Sequence, residues 1–351
     1  MDVLPGTIAV TGVAGVLAQR LLPLLDKVEG IGSIVGLDVH EPARRVRRFE
    51  FHRVDVASTD LKALLDGVET IVHLAGVDSD GTGGALLTHV NVEGTRNVLE
   101  AAATVGVRRI VQTSSAAVYG AWPNNPLPLT EDAALRPNPG FLPVLHDAEN
   151  ERRLREWCEQ RPNLIATTLR MAPVVGPGAH GLFARAALGR PPVSVRGASR
   201  QIQVVHVDDA AAALALAVAG DLDGVYNVAA EGSVSEADLR GLVGSGPPAL
   251  PEDLARRVLH ALWSSGLGDA PPELIPYLVH SWVVASDRLR AHGWAPAHTN
   301  ESAIVASLPL ASAPTARRRA AVAAAVVAGT AGAGVGVVRV ARRLQVRRAR
   351  A

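Results

Sequence analysis

The sequence predicts an α/β fold built on a doubly wound parallel sheet, and three observations predict it. Short apolar, β-branched runs recur along the first half of the chain: "TIAVTG", "SIVGLDV", "TIVHLAG", "RRIVQTSS" and "LIATTLR". Patterns of helical spacing separate them, and strands that alternate with helices pack as a parallel sheet covered on both faces. The length of 351 residues suffices for one large domain or two modest ones. Apolar residues make up 48% of the chain but aromatics only 3%, so the core must be built from Ala, Val and Leu.

The first strand runs straight into "TGVAGVLAQRLLPLL", which places Gly12, Val13, Ala14, Gly15 and Ala18 at a strand-to-helix turn. Small residues there let the backbone approach a pyrophosphate, which sits among the free N–H groups of a helix N-terminus. The second strand, "SIVGLDVH", ends on Asp38, one βαβ unit later. A carboxylate at that point suits the ribose hydroxyls of NAD and repels the extra phosphate of NADP. The first half therefore reads as a Rossmann-type dinucleotide-binding domain that prefers NAD. Arg44 and Arg45 keep NADP as the less favoured option.

Cys158 is the only cysteine, which excludes an internal disulfide and a multi-cysteine zinc site; no metal is expected. No basic n-region precedes "TIAVTG", so no signal peptide is expected either, and both features suit a cytoplasmic setting. The net charge of +1 conceals a strong segregation. From Thr315 onward there are nine Arg and no acid, whereas residues 1–314 hold 26 basic residues against 34 acidic ones.

Further landmarks resemble one family, the extended short-chain dehydrogenase/reductases of the NAD-dependent epimerase/dehydratase type. "TGVAGVLA" is similar to its TGxxGxxG fingerprint, and "VDV" at 54–56 to its adenine-contacting pair, here Asp55 and Val56. "HLAG" at 73–76 resembles the strand whose backbone lies along the cofactor, giving Leu74, Ala75 and Gly76. "NVEGTRNVLEAA" resembles the helix that begins at Asn91, and "TSSAAVYG" the stretch that carries the active-site serine, here Ser115, with Thr113 beside the cofactor. "LRMAPVVGPG" resembles the segment whose proline, Pro173, borders the nicotinamide. "VVHVDDAAAALALAV" and "GVYNVAA" match later elements, and the resemblance spans about residues 5–310.

The resemblance implies an NAD(P)-binding Rossmann domain over 1–173, joined by about 201–221. It implies a discontinuous C-terminal substrate lobe from 174–200 and 222–310. A basic, Ala/Gly/Val-rich tail follows at 311–351.

The pattern breaks at one place. The family's Tyr-x-x-x-Lys pair falls on "PVLHDAENER", where Pro143 holds the tyrosine slot and Asp147 the lysine slot. Tyr occurs only at 119, 226 and 277, with Pro123, Ala230 and Ser281 four residues beyond, and the only lysines are Lys27 and Lys62. No Tyr-x-x-x-Lys exists in the chain. A phenol of ordinary pKa near 10 needs a neighbouring cation to work at neutral pH. Proline offers no proton, and an aspartate adds the wrong sign of charge.

Proline is tolerated in a helix's first turn, and Asp147 near that N-terminus should favour the dipole. Glu149–Arg153 and Glu151–Arg155 are expected as i,i+4 pairs. His146, three residues after Pro143, is the speculative replacement acid/base, set against a partly exposed helix histidine. Tyr119 resembles a packing and substrate-wall residue. Glu131 and Asp132 read as a solvated loop, His180 as a residue of the substrate mouth, and Trp122 as either a cleft cover or a loop-packing residue.

In the tail, residues 320–338 are nineteen uncharged positions of Ala, Val and Gly with one Thr, flanked by Arg317–Arg319 and by six further Arg. The stretch matches a bilayer in length but lacks Leu, Ile and Phe, and spanning would send six Arg across. Contact with an anionic lipid surface is the favoured alternative, followed by a solvated tail. The expected partners are a dinucleotide and a small-molecule substrate of unknown identity. An anionic membrane surface and a homodimer stay open, and nucleic acid is not expected.

Two functional classes remain. One is a cofactor-binding scaffold whose Tyr-dependent catalysis is lost or replaced. The other is an active, atypical NAD-dependent oxidoreductase or epimerase, acting on a nucleotide sugar or steroid-like alcohol through Ser115 and His146.

Overall fold

The computed structural model describes residues 6–77, 84–220, 222–244, 246–268 and 270–308. The tail readings, and the domain boundary at 311, lie outside the described residues.

The apolar runs form strands as expected: β1 (Thr7–Thr11), β2 (Ser33–Asp38), β3 (Phe49–Arg53), β4 (Thr70–His73), β5 (Arg109–Ser115) and β6 (Ile165–Met171). Between them lie α1 (Val16–Leu25), the short α2 (Ala85–Thr88), α3 (Gly94–Val105) and α4 (Leu142–Glu159). The second half adds β7 (Val174–Val175), α5 (Leu182–Ala187), β8 (Ser194–Val195), β9 (Gln201–Ile202), β10 (Val205–His206) and α6 (Val207–Ala219). It continues with β11 (Gly224–Val228), β12 (Val234–Ser235), α7 (Glu236–Val243), β13 (Ala249–Leu250) and α8 (Glu252–Ser264).

Seven strands make one sheet in the order β11-β6-β5-β4-β1-β2-β3, with every neighbouring pair parallel. Alternation along β1 divides the core. Ile8 and Val10 face one layer with Leu21, Leu22 and Leu25 of α1 and with Ala210 and Leu214 of α6. Ala9 faces the other, with Val98 and Ala102 of α3 and Leu154 of α4. Both faces are dry, which is why these strands read as continuous apolar runs. Each buried leucine side chain contributes about 1.5–3 kcal/mol by leaving water.

The strand order reverses between β1 and β4, so a crevice opens there at the carboxyl ends of the strands. β11 departs from the expected division: residues 224–228 pair with β6 and complete the central sheet, although the substrate lobe was expected to begin at 222. The reason is local. The "GVYNV" run is too apolar for a lobe surface and is buried against the edge of β6. Outside the central sheet lie the two-residue ladders β7–β10, β8–β13 and β9–β12, with α7 and α8. Phe141, Phe183, Tyr277 and Trp282 pack in edge-on and tilted pairs at the start of α4, with centroids 5.1–5.7 Å apart.

Candidate functional site

The turn after β1 is held by backbone. Gly12 has φ of 67°, and its N–H donates to the Leu37 carbonyl at 2.9 Å. A Cβ there would stand 2.6 Å from the Ala75 nitrogen and 2.7 Å from the Leu74 carbonyl carbon. Gly12 is thus required by the backbone leaving β4. Gly15 donates to the Gly12 carbonyl at 3.0 Å and caps α1 without a side-chain hydrogen bond, so among the described residues the first-turn amides of α1 take no side-chain partner. Ala18 is fully buried, as expected for a position that sets helix against strand.

Asp38 shapes the same loop. Its carboxylate accepts the Ala14 N–H at 2.9 Å and the His40 N–H at 2.8 Å, and Val13 is buried beneath. An open helix end, a turn bounded by two glycines and a carboxylate one strand away together fit a dinucleotide's phosphates and ribose. Asp55, farther along the edge, accepts the Ala57 N–H at 2.9 Å, the Ser58 hydroxyl at 3.1 Å and His89 Nε2 at 3.0 Å. Partial burial opposes ionisation of Asp55, but the His89, Ala57 and Ser58 hydrogen bonds outweigh it and hold the carboxyl below its usual range. Its hydrogen bond to Asp55, with a second to Glu93, raises the pKa of His89 in turn. Val56 is buried, and its carbonyl accepts from Asn97 at 2.7 Å.

β4 ends in a hydrogen-bonded relay. His73 Nδ1 lies 2.7 Å from the Thr11 hydroxyl, and Nε2 lies 3.0 Å from the Thr95 hydroxyl. Thr95 spends its own proton on the Asn91 carbonyl, so it must accept from Nε2–H. Thr11 then donates to Nδ1 and accepts the Leu74 and Ala75 N–H groups, both at 3.2 Å. The network therefore assigns the neutral Nε2–H tautomer. Burial agrees, holding the His73 pKa down at about 4. Asn91 fixes the next stretch from the other side: its side-chain amide pairs with both the N–H and the carbonyl of Val77, at 2.9 and 2.8 Å.

These residues wall a cleft of about 470 Å³, lined by Leu74–Val77, Asn91, Thr113–Ser115, Pro143, Asp147, Asn150 and Gly181 among others. Pro143, Asp147 and Asn150 present one face of α4, spaced i, i+4 and i+7. Ser115 Oγ accepts the Ala117 N–H at 3.1 Å, which leaves its own proton to donate. Pro173 lies outside this cleft, at a small neighbouring cavity, with its carbonyl accepting the Val205 N–H.

The floor carries charge that the cleft does not see. Arg170 and Glu151 are both buried and paired, with Nη2–Oε2 at 2.7 Å and Nε–Oε2 at 3.0 Å. Glu151 also accepts the Ser114 hydroxyl at 2.5 Å, and Arg170 donates to the Tyr119 hydroxyl at 2.7 Å.

The model of the NAD dependent epimerase/dehydratase family matches residues 8–229 of this sequence. This chain belongs to that family. Relatives extend the likeness through the epimerase/dehydratase chain's second half. An uncharacterized protein of Mycobacterium tuberculosis is 28% identical over 317 residues, covering 85% of this chain and 82% of its own length. A 3-diazoavenalumate denitrifying reductase of a Streptomyces species is 30% identical over 316 residues, covering 83% and 96%.

Among solved structures, the Thermus thermophilus UDP-glucose 4-epimerase in complex with NAD aligns with a TM-score of 0.66 at 24% identity, over 86% of this chain and 97% of that one. The Bacillus cereus UDP-glucuronic acid 4-epimerase, in complex with UDP-glucuronic acid and NAD, aligns with 0.66 at 19%, over 86% and 97%. At these identities the likeness is one of fold.

Several expectations for this epimerase/dehydratase-family chain need correction. Asp147 is the sixth residue of α4, beyond the first turn, so the helix dipole is not its role. Glu151 pairs with Arg170 rather than Arg155, because it faces the sheet and not solvent. Glu131 is no solvated loop acid: its side chain is buried and accepts the Asn227 N–H at 2.9 Å, while the exposed Asp132 pairs with Arg288. Tyr119 is wholly buried and donates to Asn227 at 2.8 Å, and burial pushes its pKa up despite Arg170; it has the packing role expected of it and does not line the cleft.

His146 is buried rather than partly exposed. Its Nε2 lies 3.5 Å from the Thr88 hydroxyl, and its Nδ1 has no partner among the described residues. Burial lowers its pKa, and it is not among the residues lining the cleft. His180 is exposed. Trp122 packs its loop, donating to the Arg136 carbonyl at 2.7 Å.

Sequence reasoning missed Thr11, His73 and Asn150. The available signal for the first two was a polar residue closing each of two apolar strands, "TIAVT" and "TIVH".

Proposed function

We propose that this chain binds NAD along the crevice from the Gly12–Gly15 turn to the Ser115 cleft, and that tyrosine-dependent proton transfer there is lost or replaced. When bound, the dinucleotide supplies a hydride carrier. The carrying observation is the cleft's inventory. Pro143 and Asp147 line it with Ser115, while the chain's three tyrosines all lie elsewhere: Tyr119 donates to Asn227, Tyr226 to the Asp223 carbonyl and Tyr277 to the Ala117 carbonyl. Both lysines are exposed, on other parts of the surface. Ser115 retains a hydroxyl able to hold a substrate oxygen. Among the described residues no tuned acid stands beside it: His73 is buried and neutral, and His146 faces Thr88.

Fluorescence titration with NADH, followed by a screen of alcohols and nucleotide sugars, tests this reading. Saturable binding with no alcohol oxidation is expected. Alcohol turnover of about 1 s⁻¹ or faster would overturn it.

One observation favours a second reading, an active reductase whose acceptor needs no proton. The Streptomyces relative is named for denitrifying a diazo compound. A dinucleotide held here would supply the hydride for such a reduction, in which a C–H bond would form as the C–N bond breaks and N₂ leaves with its electron pair. That reaction asks nothing of residues 143 and 147 as acids. The nucleotide-sugar or steroid-like alcohol alternative would instead need His146 to reach the cleft. For the tail, the proposal stays with contact at an anionic membrane surface; deletion of residues 315–351 should then release the protein from the membrane fraction.

A further inference from the structure

We infer that His206 and His298 form an acid-sensitive latch, which fastens the segment from Trp294 to the helix Asn300–Ala306 onto the head of α6 and opens in mild acid. Neither histidine lines the cleft, so the latch stands apart from the NAD-binding reading.

His206 caps α6 with its ring. Its Nδ1 accepts the Asp208 N–H at 3.3 Å, which it can do only while that nitrogen carries no proton. The ring is buried, and the backbone of Gly176 crowds it: a Cβ there would stand 3.2 Å from Nε2. One face lies on His298, with centroids 3.9 Å apart and planes 25° from parallel. The buried Asp209 holds His298 in turn. Its carboxylate accepts the Ala297 N–H at 2.9 Å, the His298 N–H at 3.1 Å and His298 Nδ1–H at 2.9 Å. Its carbonyl accepts the Trp294 indole N–H at 3.1 Å. Farther along, Asn300 accepts the Val204 N–H at 2.8 Å, and Ala303 and Ile304 are wholly buried in one cluster with Val175 and Val204. Residues 294–304 are thus anchored on the short stretch 204–209.

The charged groups that face the pair among the described residues come from two elements. α6 supplies Asp208 and Asp209, and α1 supplies Arg20, itself 3.5 Å from Asp208. Residues 174–178 and 294–297 contain no ionisable side chain, and Glu301 of the following helix is exposed. One imidazolium beside Asp209 is matched by the carboxylate; two imidazolium rings 3.9 Å apart repel by several times the thermal energy. A proton on His206 Nδ1 also takes away the acceptor for the Asp208 N–H and uncaps α6. Protonation therefore strikes the stack and the cap together. Burial and the neighbouring His298 hold the His206 pKa below its usual value, so the latch is closed at neutral pH and weakens as the pH falls below about 6.5. Over each pH unit in which the open form binds one more proton than the closed form, the latch weakens about tenfold.

The test is hydrogen–deuterium exchange of the full chain from pH 7 to pH 5, corrected for the intrinsic pH dependence of exchange. In wild type the amides of residues 297–307 should lose about tenfold in protection across that range, while those of β4 and β5 keep theirs. His206→Asn retains a capping oxygen but cannot take a proton, and it should abolish the acid step. His298→Gln removes the second ring and should abolish it as well. Unchanged protection of 297–307 in wild type would overturn the inference. So would an acid step that persists in both variants, or one in which β4 and β5 lose protection to the same extent. Should His206→Asn not fold, His298→Gln and the wild-type profile decide.

Discussion

At the scale of single residues, the departures at Pro143 and Asp147 were legible because composition settles them: with three tyrosines and two lysines, every pairing can be checked by eye. Glu151 was not legible. Spacing along a helix assumes that both partners face solvent, and Glu151 instead meets Arg170, nineteen residues away on a strand. Which face is dry depends on the tertiary neighbour, and a local pattern does not contain it. The consequence can be measured. Glu151→Gln should destabilise the protein by about 3 kcal/mol, because it leaves the buried Arg170 guanidinium without its counter-charge. Urea unfolding would show this as a lower midpoint. Arg155→Ala should move the midpoint little, since Arg155 is exposed.

At the scale of elements, the long strands and the helix after β1 follow from local pattern, α3 and α6 were expected only through the family resemblance, and Pro143 sits in the first turn of α4 as expected. The ladders β7–β10, β8–β13 and β9–β12 did not. Each strand has two residues, too few for any period to be seen. The β1–α1 turn was recognised from its glycines, but the reason for Gly12 lay in another element, the backbone of Leu74 and Ala75. Gly12→Ala combines a left-handed backbone with a clash against main-chain atoms that cannot move aside. It should cost about 2–5 kcal/mol and displace Leu74 and Ala75 from the cleft wall. Loss of NADH-fluorescence binding together with a lowered unfolding midpoint would mark it, whereas a variant that keeps both at wild-type values would contradict this account of the turn.

At the scale of the whole molecule, the alternation of strands and helices made the doubly wound parallel sheet readable but not its strand order, and β11 was expected in the substrate lobe, because a strand that returns after a long excursion has no sequence neighbour to announce it. Global stability should carry the signature of the His73 relay. Its folded pKa of about 4 lies below the 6.5 of an ordinary histidine, so the unfolded chain binds the extra proton first. Stability is then full above about pH 6.5 and declines as pH falls towards 4, by up to about 3 kcal/mol. The depressed pKa values of His146 and His206 act in the same sense. Denaturant unfolding from pH 7 to pH 4 should show this acid limb, and His73→Gln should flatten it. An unchanged slope in that variant would assign the acid sensitivity elsewhere.

The anchorage of α4 has a practical corollary. Glu151 fastens the helix to β5 and β6 one turn past position 147, and Phe141 wedges its start into the aromatic stack. Positions 143 and 147 thus ride on a mount secured at both ends by other side chains. That leaves them as interchangeable fittings, and laboratory evolution could try new reactive groups there with little risk of the mount working loose.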